Sequence, residues 1–285
     1  MLHRFLLGLA VFGWAASHNS SVMAQGLIWN APAEGTEVQF EGDYIQEDER
    51  PNDVNKRIKL EWRRRVWIKA LKKTNAEYKN ETVPCQWFEI KVVTASEVGG
   101  DGDLVPGPGG KRIYKLLVPL EVKPGQAITL GPPKDGGEVM DHQQIPIAYL
   151  PIVKGFRRID EQSAEAITSG VFDTYPLLSL MNQYRTLDVV TAQEDPQVTL
   201  QTVTTAAHYH GETTMESPTN RSTNKAEIWA NESVPFGLVR WQVEVARETK
   251  DENASRDQFQ QASTFKVDMK IVKQSTNATS DLAEE

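Results

Sequence analysis

The sequence predicts a mainly β fold, a curved antiparallel sheet of about ten strands that forms a half-barrel, with one or two short inserted helices. The first observation is strict alternation of apolar and polar residues, shown best by Leu238–Arg247, where Val239, Trp241, Val243 and Val245 share one face. The second is that turns rich in glycine and proline separate such segments at hairpin spacing. The third is that only one segment has convincing helical spacing.

The remaining predicted strands follow the same alternation. Arg57–Leu71 is unusually long, which favours a strongly curved or barrel-like sheet. Pro146 and Pro151 make Ile145–Arg158 an edge strand or an irregular one, because proline cannot donate to a strand ladder. We expect Lys72–Thr82 to be a polar hairpin connection. The other predicted strands are Thr36–Gln46, Gln86–Ala95, Ile113–Glu121, Ala127–Leu130, Thr186–Thr191, Val198–Tyr209, Ala226–Ala230 and Thr264–Ile271.

The one predicted helix is Pro176–Tyr184. Leu177, Leu180, Met181 and Tyr184 are spaced by three, four and seven residues from the first, as on one face of a helix. Proline suits the first helical position, since its missing amide would have no partner there. We expect this helix to cover the apolar face of the sheet, either as packed core or as a lid over a ligand.

The N-terminus resembles an export signal. A short basic start precedes the apolar run Phe5–Ala16, and Val22 and Ala24 fit the −3 and −1 positions of a cleavage site. The apolar run is short for a membrane span, although a retained anchor is the rival interpretation. We therefore predict a signal peptide at residues 1–24, one β-rich domain at 25–273 and a disordered tail at 274–285. The protein is expected to be exported, to the periplasm or beyond the cell.

Charge and cysteine content narrow the classes of function. The net charge of −8 argues against nucleic acid as a general partner, because such binding begins with neutralising phosphates. Cys85 is the sole cysteine, so an exported chain has no internal disulfide and must be held by apolar burial. Cys85 is interpreted as a small buried residue, with a reactive or intermolecular thiol as the alternative.

Motifs for catalysis are missing from the sequence. It contains no G-x-S-x-G, H-E-x-x-H, P-loop or dinucleotide fingerprint. His208 and His210 form an H-x-H pair whose side chains share one strand face, but no third ligand is near in sequence, so an ordinary strand-end pair is favoured over a metal site. Their parity would place them on the inner face of the sheet. The sequence therefore predicts a non-enzyme with no cofactor and no metal.

Arg64 breaks the pattern of its strand. It shares a face with the apolar residues Trp62 and Val66, whereas Arg63 and Arg65 point to the other side. A buried arginine has to be paired or hydrated. It would either pair with a structural acid, which we favour, or hold the acidic head group of a ligand.

The segment around Trp229 carries a family resemblance. Trp229, Pro235 and Gly237 form a W-x₅-P-x-G element before the next strand. With a signal peptide, long curved strands and one inserted helix, this order resembles the LolA/LolB-type lipoprotein carriers and secreted bacterial proteins that share their half-barrel. The resemblance implies a concave apolar face, partly closed by a helix, that holds an acyl chain or a similar ligand.

The sequence thus predicts an exported binding or carrier protein with an apolar cavity for a lipid-like ligand. The rival is a structural or protein-interaction module of the cell envelope with a packed interior, and an unrecognised hydrolase is a third possibility. Ligand identity and oligomeric state stay open. The expected cavity-lining residues are Trp62, Arg64, Phe88, Leu177, Leu180, Met181 and Trp241.

Overall fold

A computed structural model describes residues 26–50, 54, 56–120, 150–182, 184 and 187–282. The predicted signal peptide and the predicted strand Ala127–Leu130 lie outside these residues. In the described part of the chain, no helix is long and apolar enough to cross a membrane.

The fold is mainly β, as predicted, and antiparallel throughout its main sheet. In chain order, the strands are Glu37–Glu49 (β1), Arg57–Tyr78 (β2), Glu81–Ala95 (β3), Glu97–Val98 (β4), Leu104–Val105 (β5), Lys111–Pro119 (β6), Leu150–Pro151 (β7), Lys154–Ile159 (β8), Glu165–Ile167 (β9), Val171–Phe172 (β10), Asp188–Glu194 (β11), Ala206–Glu216 (β12), Asn220–Ala230 (β13), Leu238–Thr249 (β14) and Gln260–Ser275 (β15). The helix Tyr175–Ser179 (α1) follows β10, and a 3₁₀ turn, Arg256–Gln258, precedes β15.

Eleven of these strands form one open sheet in the order β11-β12-β13-β14-β15-β1-β2-β3-β6-β8-β9. β1 therefore lies between β15 and β2, so the two ends of the described chain meet in the middle of the sheet. Two short pairs, β4 with β5 and β7 with β10, lie apart from it.

The two faces of the sheet differ in character. The inner face is the one that carries Phe40, Val66 and Trp241, all with no exposed area, and it holds the main core. Residues 27–29, β7, β10 and α1 cover it. The outer face carries charged residues and a smaller apolar cluster around Cys85 and Trp87. The alternation in the sequence correctly assigned Trp62, Arg64 and Val66 to a common side.

The connection between β2 and β3 is shorter than predicted. Lys72–Thr82 does not form a loop, since β2 continues to Tyr78 past an irregularity between Ala70 and Lys73. Lys79 and Asn80 both have positive φ, at 52° and 67°, as a tight two-residue hairpin turn requires. Ala76 and Tyr78 pack on the apolar cluster around Cys85 and Trp87, and the remaining residues of β2 beyond Leu71 are exposed.

The helix is also shorter than predicted. α1 ends at Ser179, because Leu180 adopts a left-handed conformation with φ of 60°. Its buried face is Tyr175, Leu178 and Ser179, and Leu177 is 61% exposed, so the predicted stripe does not exist as one helical face. Met181 and Tyr184 are buried nonetheless, by chain that leaves the helix and returns to the sheet.

The strand predicted at Val198–Tyr209 begins later than expected. Residues 198–205 are not a strand, and β12 spans Ala206–Glu216. Val203 is buried there by packing on the core, which explains the apolar pattern that suggested a strand.

The C-terminal segment differs from the predicted disordered tail. β15 continues to Ser275, and the chain then crosses the outer face as far as Leu282, which is 3% exposed. Glu89, which is fully buried, accepts hydrogen bonds from the backbone amides of Asp281, at 3.0 Å, and Leu282, at 3.3 Å. Lys69 contacts both acids, at 2.9 Å from Glu89 and 3.0 Å from Asp281.

Candidate functional site

Three of the predicted site residues line one pocket. Trp62, Arg64 and Leu177 face an open pocket of about 320 Å³ between α1 and the inner face of β2, β3 and β6. Val92 and Leu178 add apolar wall, and the turn Gly107–Gly110 forms one rim. We call this the Arg64 pocket.

The other predicted site residues lie in the core. Phe88 and Trp241 are 1% and 0% exposed, and Met181 is 2% exposed. The Trp241 ring packs edge-on against Phe40, with ring centroids 5.0 Å apart. Leu180 is partly buried against the same core. These side chains fill the space under the helix and take no part in lining the Arg64 pocket.

Arg64 is the unusual group of the pocket. Its Nε donates to Thr94 Oγ1 at 3.2 Å, one terminal nitrogen lies 3.4 Å from the Leu178 carbonyl oxygen, and its guanidinium stands 4.4 Å from the Tyr44 ring centroid. Burial of the guanidinium, together with the nearby charge of Arg112, lowers the pKa of Arg64 to about 10, although Tyr44 acts in the opposite direction. The neighbourhood disfavours the charge that Arg64 carries.

No carboxylate among the described residues pairs with Arg64, so the structural acid favoured from the sequence is not found there. The outer face of the same strand is the contrast. Arg63 lies 3.3 Å from Asp43, and Arg65 lies 2.6 Å from Glu41. One strand therefore has paired arginines on its outer face and an arginine with only neutral partners on its inner face.

Arg112 adds a second positive charge to the pocket and was not singled out from the sequence. Its Nε donates to the Gly109 carbonyl at 3.0 Å, and the described residues give it no ion pair. The available signal was its parity, because Arg112 falls on the same strand face as the buried Tyr114 and Leu116. Arg64 and Arg112 thus share one signal in the sequence, which is a cation at a position of the strand where the alternation calls for an apolar residue.

Hydrogen bonds fasten α1 to its surroundings. Trp241 Nε1 donates to the Ser179 carbonyl at 3.1 Å, and Asn224 Nδ2 donates to the Leu180 carbonyl at 2.7 Å. Tyr175 Oη accepts the backbone amides of Leu27 and Ile28 at 2.8 Å each. These bonds are mostly buried, which favours a helix that belongs to the core over one that opens as a lid.

The histidine pair lies on the outer face, contrary to the inner-face placement suggested by its parity with Val198. Both rings turn toward Glu227, which is 2.7 Å from His208 Nε2 and 2.7 Å from His210 Nδ1. His208 Nδ1 is 3.0 Å from Glu194 Oε1, in ion-pair range but without hydrogen-bond alignment. Across the described residues, no group of three or more metal-ligating side chains is arranged to hold an ion.

Trp229 lies beside this histidine pair on the outer face and still belongs to the same buried cluster as Trp241. Its ring stacks on His208, with centroids 4.4 Å apart, and Arg240 lies 4.7 Å above it. Arg240 is only 7% exposed and makes a two-pronged ion pair with Asp268, at 3.0 and 2.9 Å. The alternation of β14 alone assigns Arg240 to the outer face and would predict a solvated side chain, but the chain near Pro196 covers it.

Cys85 is fully buried in the outer apolar cluster, and burial raises the pKa of its thiol. This agrees with a small packed residue. A buried thiol with a raised pKa is a poor nucleophile.

No protein-family model matches the chain, and no curated protein is similar to it.

Proposed function

We propose that the protein is an exported, non-enzymatic binding or carrier protein that holds a lipid-like ligand by its acidic head group in the Arg64 pocket. The observation that carries this proposal is the environment of Arg64. Its guanidinium is desolvated, no carboxylate of the described residues forms an ion pair with it, and it lines an open pocket.

The energetics favour an anionic ligand. Taking a charge out of water is costly unless an opposite charge compensates it. Thr94 and the Leu178 carbonyl supply only neutral partners. Charge-assisted hydrogen bonds from an arginine to an anion are about twice as strong as neutral ones. An acidic head group would therefore supply the compensating negative charge that the neutral partners of Arg64 do not.

The pocket walls favour an apolar ligand body. Trp62, Leu177 and Leu178 are large apolar side chains, and Leu177 is 61% exposed on the described surface. A volume of about 320 Å³ lies at the small end of the range for ligand sites. The resemblance to LolA/LolB-type carriers implies an acyl chain in the same region, although fold likeness alone is a poor guide to function.

Fatty-acid binding with matched variants tests the proposal. Delipidated protein is titrated with a fluorescent long-chain fatty acid, and Arg64→Met is compared with Arg63→Met, which removes the neighbouring charge from the outer face. Losing a charged hydrogen bond should weaken binding about tenfold or more for Arg64→Met, and Arg63→Met should bind as the parent does. Absence of saturable binding by the delipidated parent would exclude this function. Native mass spectrometry of protein from its own host would identify a carried ligand.

A structural or interaction module is the second candidate. It is favoured by the packed interior, in which Phe88, Met181 and Trp241 fill the space that a large internal cavity would need. Such a module would bind no fatty acid, and its Arg64 would serve stability alone.

A further inference from the structure

A row of aromatic side chains continues the Arg64 pocket across the inner face. The Tyr44 and Trp62 rings have centroids 5.6 Å apart, and Tyr44 and Phe265 have centroids 6.3 Å apart. All three are partly exposed, and they come from the adjacent strands β2, β1 and β15. We call Trp62, Tyr44 and Phe265 the aromatic row.

Two arginines stand over rings of the aromatic row, Arg64 over its middle ring, Tyr44, and Arg247 over Phe265 at one end. The Arg64 guanidinium is 4.4 Å from the Tyr44 ring, and the Arg247 guanidinium is 4.6 Å from the Phe265 ring. Like Arg64, Arg247 has no ion pair with any described residue. On the outer face, by contrast, charged side chains are paired: Glu248, the next residue on β14, forms an ion pair with Arg221 at 2.7 Å.

The separation of the two cations is bounded by the same contacts. The distances of 4.4, 6.3 and 4.6 Å along the row give an upper limit of about 15 Å between the guanidinium groups. This limit is about three times the spacing between neighbouring strands. Arg64 on β2 and Arg247 on β14 are indeed three strand spacings apart, with β1 and β15 between them.

A nearby acid limits where an anion would bind. Asp48 is on the inner parity of β1, four residues beyond Tyr44, and accepts a hydrogen bond from Gln46 at 2.9 Å. Asp48 and Arg247 are both register partners of Ser263 on β15, so Asp48 lies level with Arg247, two strands away, and its field opposes part of the attraction of Arg247 for an anion. The two arginines and the rings between them remain the part of this face that attracts negative charge and apolar surface together.

We propose that the ligand carries two acidic groups, one at each end of an apolar or ring-containing body, and that Arg64 and Arg247 bind one each while Tyr44 and Phe265, the rings between them, hold the body. The proposal rests on the proposed function for the Arg64 end. It adds a second charge site and a length requirement. Aromatic rings suit such a body because they offer large apolar area at little cost in side-chain entropy.

A pair of probes separates the two ideas. Decanoate and sebacate have the same carbon count, but only sebacate has a second carboxylate, and suberate and dodecanedioate extend the length series. Calorimetric titration at low salt should show sebacate or dodecanedioate binding about tenfold more tightly than decanoate. Arg247→Met should remove that advantage and leave decanoate unchanged, whereas Arg64→Met should weaken both.

The control variant is Lys266→Met, which removes a charge from the outer face, where Lys266 pairs with Glu244 at 3.0 Å. It should leave all affinities as in the parent, and urea unfolding of each variant verifies that it folds. If decanoate binds through Arg64 but the second carboxylate adds nothing at any length, the two-site proposal is refuted and the proposed function stands. If neither probe binds the parent, both are refuted.

Discussion

Replacing Arg64 by methionine should make the unliganded protein more stable. Methionine keeps the long apolar stem that fills the site and removes the charge that the site disfavours. A pKa lowered to about 10 means that the folded state holds the proton less tightly than the unfolded state does. This cost is fully present at pH 7 and disappears only as the pH rises through about 10 toward the higher pKa of the unfolded state.

The magnitude is the difference between two terms of similar size. At about 1.4 kcal/mol per pKa unit, the charged guanidinium costs about 3 kcal/mol at neutral pH. The variant also loses the bonds to Thr94 and Leu178, which at 3.2 and 3.4 Å are long for charge-assisted bonds and so count about 0.5–1 kcal/mol each, and the contact with Tyr44, at about 0.5–1 kcal/mol. We expect a net gain of about 1 kcal/mol.

Urea unfolding at pH 7 measures this effect. Arg63→Met is the matched control, because the side chains of Arg63 and of its partner Asp43 are both more than half exposed. The free energy of unfolding of this variant should differ from that of the parent by less than about 0.5 kcal/mol. A loss of more than about 1 kcal/mol for Arg64→Met would refute the reasoning. It would show that Arg64 is a structural residue whose neutral partners are sufficient.

Four further predictions concern the rest of the fold. Trp241→Ala should lower the free energy of unfolding by about 4 kcal/mol, because it opens a void in the core. Arg240→Met should lower it by about 1–3 kcal/mol, because the charged hydrogen bonds to Asp268 are lost. A change near zero for Arg240→Met in urea unfolding would mean that the ion pair is open to water. Burial alone would raise the pKa of Asp268, but hydrogen bonds from Arg240 and Gln242 outweigh it and lower the pKa. The stability this gives is present above about pH 4 and is lost as pH falls through the native pKa, so unfolding at a series of acid pH values should show a shallower decline for Arg240→Met than for the parent. Leu282→Ala should cost about 2 kcal/mol, and an unchanged unfolding midpoint would instead indicate a frayed tail.

Strand faces could be predicted from the sequence because alternation is a local property. A period of two assigns Trp62, Arg64 and Val66 to one side without knowledge of the partner strands, and the same reasoning separated Arg63 from Arg64. What alternation cannot show is what covers each face. Arg240 was assigned to the outer face correctly, yet its burial depends on chain near Pro196 that is remote in sequence.

Local sequence patterns gave wrong predictions for the helix around Leu180 and for the C-terminal segment. The spacing of Leu177, Leu180 and Met181 is helical, but the left-handed Leu180 ends α1 and sends Met181 into the core by another route. The C-terminal segment had no periodicity to detect, since it is held by backbone amides that bond Glu89 and by one apolar side chain, Leu282. Backbone donors are the same for every sequence, so composition could not reveal this docking.

The arrangement of arginines distinguishes the two candidate functions better than the pocket alone. A sheet that needed arginine only for solubility or strand pairing would place it where acids are at hand, as Arg63 and Arg65 are placed opposite Asp43 and Glu41. Arg64 and Arg247 stand instead on the apolar parity of their strands, over aromatic rings. A residue that lowers stability and raises affinity is the signature of a binding site. Stability and affinity measured on the same Arg64→Met protein should therefore move in opposite directions for a carrier, and a structural module would lose stability with no ligand affinity to change.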